Sequence, residues 1–186
     1  MTWTRPPHPA LRPFVAQVWT NAAAPPAFAA PRREHALPTG CAHLVFRLDD
    51  APLWIAGADD APLWIAGADD AQWQALTGAL LGGPRSRYYR RELAAPSASV
   101  GALLRPGAML ALFGVPAAEF AGCHVPLDVL WGADAERLRA RLVETAAADA
   151  RLALLEAALL ARLPRVHGVH PGVAALLAAA HTGDPV

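Results

Sequence analysis

The sequence predicts an α+β chain: an antiparallel β-barrel or sandwich in front and a helical connector bundle behind. Three observations carry that prediction. Up to Leu104 the chain runs in short β-type bursts broken by Gly and Pro. Beyond Arg105 the apolar residues take up helical spacing. Between them, Val100 to Gly132 carries Pro106, Pro116 and Pro126, each at an expected helix start. Proline lacks a backbone N–H and has φ near the helical value, so the first helical turn is where it fits.

The expected strands are Phe14 to Trp19, Ala42 to Leu48, Leu76 to Leu81, Tyr88 to Leu93 and Ser97 to Leu104. The Ala/Pro-rich run Ala22 to Pro31 reads as a loop, and Gly82-Gly83-Pro84 and Ala95-Pro96 read as turns. Several short strands with turn signals between them fit a barrel or sandwich. An identical tandem repeat lies within this half. DDAPLWIAGA stands at Asp49–Ala58 and again at Asp59–Ala68. A ten-residue insertion is even, so strand parity survives it. Leu53–Ala56 and Leu63–Ala66 each have the length of a short strand, and pairing of the two as a hairpin is one expectation. Only one copy is needed by the parent fold, and the surplus one leaves Trp54 or Trp64 to be covered by a partner.

In the back half, Asp134 to Thr145 sets Leu138 and Leu142 on one helical face and Arg137 and Arg141 on another. Asp149 is the expected N-cap of a helix over Ala150 to Leu163. Leu152, Leu155, Leu159 and Leu163 form its buried stripe, and Leu154 and Leu160 widen it, which is consistent with burial on two sides, as at a dimer contact. Pro164 ends that helix, and a last one starts at Pro171. The domain reading is therefore 1–105 β-rich and 106–186 helical.

Composition sets bounds on function. Hydrophobic residues make up 54% and charged residues 17%, which supplies a core. No apolar run reaches about 18 residues without a charge or proline, so no membrane span or membrane partner is expected. The N-terminus has no apolar h-region behind its charges, which gives a cytoplasmic expectation. Every basic residue is Arg and the formal net charge is zero. A DNA-binding domain ordinarily carries a basic excess. Arg85, Arg87, Arg90 and Arg91 cluster around Tyr88 and Tyr89, read as a solvated strand edge in preference to a phosphate site. Cys41 and Cys123 match no paired spacing and are expected to be buried thiols.

Several motifs in order resemble the N-terminal domain of a subgroup of AraC-type transcription regulators, a domain often described only as one of unknown function. They are Leu11 to Trp19, Leu37-Pro38-Thr39-Gly40-Cys41 before the strand at His43, Arg105-Pro106-Gly107, Gly114-Val115-Pro116-Ala117, Val125-Pro126-Leu127 and Leu130-Trp131-Gly132. The resemblance implies a cupin-like barrel that senses a small-molecule effector, and a homodimer. Regulators of this type continue into two helix-turn-helix units. No recognition helix follows His170-Pro171 here, so DNA is expected as a partner only through units absent from this chain.

Candidate chemistry is sparse. Cys41 and His43 are two apart on an expected strand, hence on one face. Metal cupins supply a His-x-His pair, a Glu and a later His; His43 has no second His at that spacing and no Glu follows it, so no metal ligand is assigned. His167 and His170 flank a Gly in a linker, and Glu34, Glu92 and Glu119 stand alone. No nucleophile elbow or phosphate loop is present. The expectation is no catalytic residue, no cofactor and no enzyme. The polar and aromatic candidates for a sensor pocket are Trp19, His43, Arg47, Tyr89 and Arg105. Arg105, at a strand end before Pro106, also suits a corner tie. The reading is an effector-sensing and dimerisation domain. The alternative is a stand-alone cupin-like binding protein or metalloenzyme.

Overall fold

The structure is a computed structural model that describes residues 2–22, 32–56, 73–93 and 97–163, together with Pro171, Gly172, Ala175 and Ala179. In chain order the strands are β1 (Thr2–Arg5), β2 (Val15–Asn21), β3 (Arg32–Ala36), β4 (His43–Arg47), β5 (Leu53–Ala56), β6 (Trp73–Leu76), β7 (Ala79–Gly82), β8 (Tyr89–Leu93), β9 (Ser99–Leu104) and β10 (His124–Pro126). They form two antiparallel sheets. One is six-stranded, in the order β1-β2-β9-β4-β7-β10, and the other four-stranded, β3-β8-β5-β6. No pairing closes either sheet among the described residues, so the protein is α+β with two open sheets rather than a closed barrel.

Most strands fall where alternation puts them. The expected run Leu76 to Leu81 is instead cut in two. Gly78 has φ +70°, a conformation glycine adopts without a steric cost. The chain turns there, sending β6 to the four-stranded sheet and β7 to the six-stranded one. After Arg105 the chain returns to the six-stranded sheet once, as β10.

The helices are α1 (Ala108–Phe113), α2 (Asp128–Trp131), α3 (Ala133–Glu144) and α4 (Ala148–Leu160), with a 3-10 turn at Ala117–Phe120. Pro106 and Pro116 precede helical turns as expected. Pro126 does not: it ends β10, an edge strand, where a missing N–H is tolerated. Asp149 is also not the cap of α4. Ala147 holds that position, and Asp149 lies in the first turn, where its charge complements the helix dipole. Pro171, Gly172, Ala175 and Ala179 are helical, as the expected start at Pro171 requires. The Ala22–Pro31 loop falls almost wholly outside the described residues, as does the linker holding His167. Among the described residues no helix is long and apolar enough to cross a membrane.

The helices cover one face of the six-stranded sheet. Leu44, Phe46, Leu81, Val100, Ala102 and Leu104 point to that side and meet Leu112, Leu127, Trp131, Leu138, Leu142 and the Leu152–Leu155–Leu159 stripe. Leu154 and Leu160 also pack against this core, so the extra apolar width of α4 is used within the chain.

Strand β1 is held to α4 by Glu156, which is 6% exposed. Its carboxylate accepts from Arg5 at 2.7 Å and from the His8 backbone N–H at 2.7 Å. Replacing Glu156 by Ala orphans that N–H and frees a half-exposed cation. We expect a loss of about 2 kcal/mol in urea denaturation. An unchanged midpoint would show that β1 is held by other contacts.

The repeat is resolved in one respect. Strand β5, from the first copy, is flanked by β6 on one edge and β8 on the other. Both edges of β5 are taken among the described residues, and Leu63–Ala66, the other half of the expected hairpin, lies outside them. The second copy lies outside the described residues, and Trp54 is half-buried. Removing either copy yields the same sequence, which leaves residues 57–58 and 69–72 to join β5 to β6. That is close to an ordinary connection of ~4–6 residues. The deletion variant is expected to fold with an unchanged far-ultraviolet spectrum and a melting temperature within about 3 °C. An aggregated or unfolded product would give the second copy a structural role.

Candidate functional site: a polar cluster between the sheets

The other face of the six-stranded sheet looks toward the four-stranded sheet. Its register sets His43 on β4 opposite Gly82 on β7, and Gly82 opposite His124 on β10. Two histidines thus flank a glycine on one cross-strand row. A Cβ at Gly82 would collide with the His43 ring, so the absent side chain lets the imidazoles lean together. Their Nε2 atoms are 3.3 Å apart. Tyr89, from β8 of the facing sheet, meets the His124 ring edge-on at 5.0 Å between centroids. Arg85 follows Gly82-Gly83-Pro84. Its guanidinium carbon lies 4.8 Å from the centre of the Tyr89 ring, and Nη2 lies 2.8 Å from Nδ1 of His124.

The protons in this cluster follow from its donors. A guanidinium only donates, so Nδ1 of His124 accepts and its proton resides on Nε2. That N–H points at Nε2 of His43, which accepts, placing the His43 proton on Nδ1. Burial holds His43 down to about 4, with Arg85 and Arg91 adding to the shift. Burial likewise holds His124 down to about 3, helped by His43 and Arg85. Both rings are neutral at pH 7. Burial also pushes the Tyr89 phenol up and the Arg85 guanidinium down.

Nearby charges are mostly matched. Glu34 on β3 stands opposite Arg91 on β8 and accepts from it at 2.8 Å. Arg33 and Glu92 form the adjacent cross-strand pair at 2.8 Å. The solvated edge expected at Arg85, Arg87, Arg90 and Arg91 is corrected for the last two: they lie on β8, an interior strand, where Arg91 pairs with Glu34 and Arg90 overlies Trp73.

Of the residues singled out from the sequence, His43 and Tyr89 come together here. Trp19 is on the same sheet face one row away, with its indole lying over Gly101. Arg47 is 6% exposed and committed to Asp49 and the Ala51 carbonyl at 3.1 Å each. Arg105 is outside the cluster, and its Nε donates to the Arg12 carbonyl at 2.9 Å, tying the corner. The cysteines are not buried: Cys123 is exposed and Cys41 partly so. Cys41 sits in a turn with Thr39 before β4 begins, so it does not share the face of His43 by strand alternation. From the sequence Arg85 stands out only as a member of the arginine cluster around Tyr88 and Tyr89, and His124 does not stand out at all, because Gly82 lies between it and His43 only in the register.

A divalent metal does not suit this donor set. A histidine that ligates through Nε2 carries its proton on Nδ1 and gives it to an acceptor. At His124 the group facing Nδ1 is itself a donor, Arg85. Among the described residues no three His, Cys, Asp or Glu side chains gather into a metal-sized group.

The fold and the cluster define a class: an α+β domain of two facing antiparallel sheets with a neutral-histidine, arginine and tyrosine cluster between them. The chain belongs to the family described as a domain of unknown function, DUF6597, whose match spans residues 4–126. That span begins in β1 and ends on the last residue of β10, so it takes in both sheets and the whole cluster. No curated protein and no solved structure matches the chain.

Proposed function

We propose that this chain is the effector-sensing and dimerisation part of an AraC-like transcription regulator. In this reading the domain is cupin-like, and its effector is a small molecule seated against His43, His124, Tyr89 and Arg85. The observation that carries it is the make-up of the layer between the sheets. Facing sheets ordinarily interdigitate apolar side chains. Here the buried apolar residues of that layer are Ile55, Leu76 and Leu80, and beside them lies a linked set of polar groups. Convergent polar groups beside apolar ones are what a ligand site requires. The helices give the site an output. Helix α3 packs on β7, and α4 on β2 and β9, so a ligand that favours one spacing of the sheets also favours one placement of the helices.

The test is a thermal-shift screen of the purified chain with a panel of small metabolites. The expected result is a saturable rise in melting temperature that His43→Ala and Tyr89→Phe each reduce. Light scattering at high micromolar concentration reads dimerisation, and a gel shift of the chain alone should be negligible. A panel without hits removes the sensing reading. A strict monomer, with or without ligand, removes the dimer.

A further inference from the structure

We infer that the cluster between the sheets takes a small oxyanion, a carboxylate or a phosphate group of its ligand, held by Arg85. The inference rests on the sensing reading above and names the chemistry of its ligand. Its first support is a missing counter-charge. Among the described residues Arg85 has no carboxylate partner. Its neighbours are a neutral imidazole, the Tyr89 ring and the Cys123 thiol, none of them a carboxylate. The carboxylates on the facing sheet, Glu34 and Glu92, are paired with Arg91 and Arg33. Each neighbouring arginine on β3 and β8 for which a carboxylate partner is seen, Arg33 and Arg91, has it directly across the strand.

The second support is an unused donor. Nε of Arg85 is buried and has no hydrogen-bond partner. A buried N–H left unpaired is costly, and one on a cation more so. A guanidinium offers Nε–H and a terminal N–H as a planar fork, which matches the two oxygens of a carboxylate or phosphate. The third support is the direction of the proton chain. Arg85 donates to His124 and His124 to His43, which leaves His43 with Nδ1–H to offer. The end groups of this chain are donors, and no ionised acceptor stands among them. A ligand atom that only accepts completes such a set, and an oxyanion is that kind of atom. Besides each other, the titratable and charged groups facing the two imidazoles are Arg85, Arg91 and Tyr89.

The test is side-chain nitrogen NMR of the whole chain at pH 7, following Arg85 Nε–H and the two imidazoles. Benzoate and inorganic phosphate are the anionic probes, and benzamide and a neutral polyol are the controls. The expected result is a saturable shift of Arg85 Nε–H with one of the anions, and which anion does so separates carboxylate from phosphate. Arg85→Met should weaken that binding about 10- to 100-fold, as loss of a charge-assisted hydrogen bond does. Arg85→Lys, which keeps the charge, should recover part of it and guards against a Met variant that folds poorly. Equal binding of benzamide and benzoate overturns the anion while leaving a ligand site. Anion binding that survives in Arg85→Met overturns the role of Arg85. No response of any cluster resonance to any probe overturns both this inference and the sensing reading.

Discussion

Acidification from pH 7 to pH 4 should destabilise the native protein steeply, and replacing His43 and His124 together should flatten most of that dependence. An unfolded histidine has pKa about 6.5. Folded His43 sits at about 4 and His124 at about 3. Between those values and 6.5 the unfolded chain binds protons that the folded chain refuses. Stability therefore rises with pH in that window and falls as pH drops through it. For His43 alone the lowering corresponds to about 3 kcal/mol once fully developed. The two rings share a hydrogen bond, so their contributions do not simply add. Urea denaturation at pH 7, 5.5 and 4.5 reads the effect. The His43→Asn, His124→Asn double variant should lose much less stability over that range than the parent. An equally steep loss in the variant would show that the acid sensitivity does not come from the two histidines.

Gly83→Ala should cost about 3 kcal/mol or more and should disturb the cluster as well as the fold. A Cβ at Gly83 would lie 2.5 Å from the Phe120 carbonyl carbon and nearer still to its oxygen. Both are backbone atoms, so no rotamer change relieves the clash. The two segments are also laced together. The Gly83 N–H donates to the Cys123 carbonyl at 2.9 Å, and the Gly122 N–H to the Pro84 carbonyl at 3.0 Å. An added methyl group must push the Phe120–Cys123 turn away, and His124 is the next residue. The variant should show both a lowered urea midpoint and displaced His124 resonances. Gly101→Ala should also be costly, because its Cβ would meet the Leu44 carbonyl oxygen at 2.6 Å as well as the Trp19 indole. If Gly83→Ala proves as stable as the parent, the turn is far more pliable than its hydrogen bonds imply.

These glycines also show where sequence reading stops. Strand alternation at His43–Arg47 and Ser99–Leu104, and the leucine stripe at Leu152, Leu155 and Leu159, are local signals, and local signals were legible. So was Arg105 as a corner tie, because a strand-ending residue before Pro-Gly has few other roles. Gly82 and Gly83 read only as turn punctuation. Their significance lies in what faces them, His43 and Phe120, and facing is a property of register. His124 was missed for the same reason: three residues ending in proline carry no strand signal of their own. They become a strand because β7 offers an unpaired edge. Cys41 and Cys123 were misjudged because composition ranks a thiol by type, whereas their exposure follows from turns.

The order β1-β2-β9-β4-β7-β10 has a consequence for how the protein is made. Strand β9 lies between β2 and β4 and supplies a hydrogen-bonding edge to each. During synthesis both strands leave the ribosome well before residues 99–104 exist. Until then β2 and β4 have no central neighbour, and their open edges can pair with other chains. Translation must therefore pass Leu104 before the six-stranded sheet can assemble. Pairings this distant in the chain also make for slow folding. A ribosome stalled before Ser99 should hold a nascent chain that chaperones recognise, and one stalled well beyond Glu156 a chain they release.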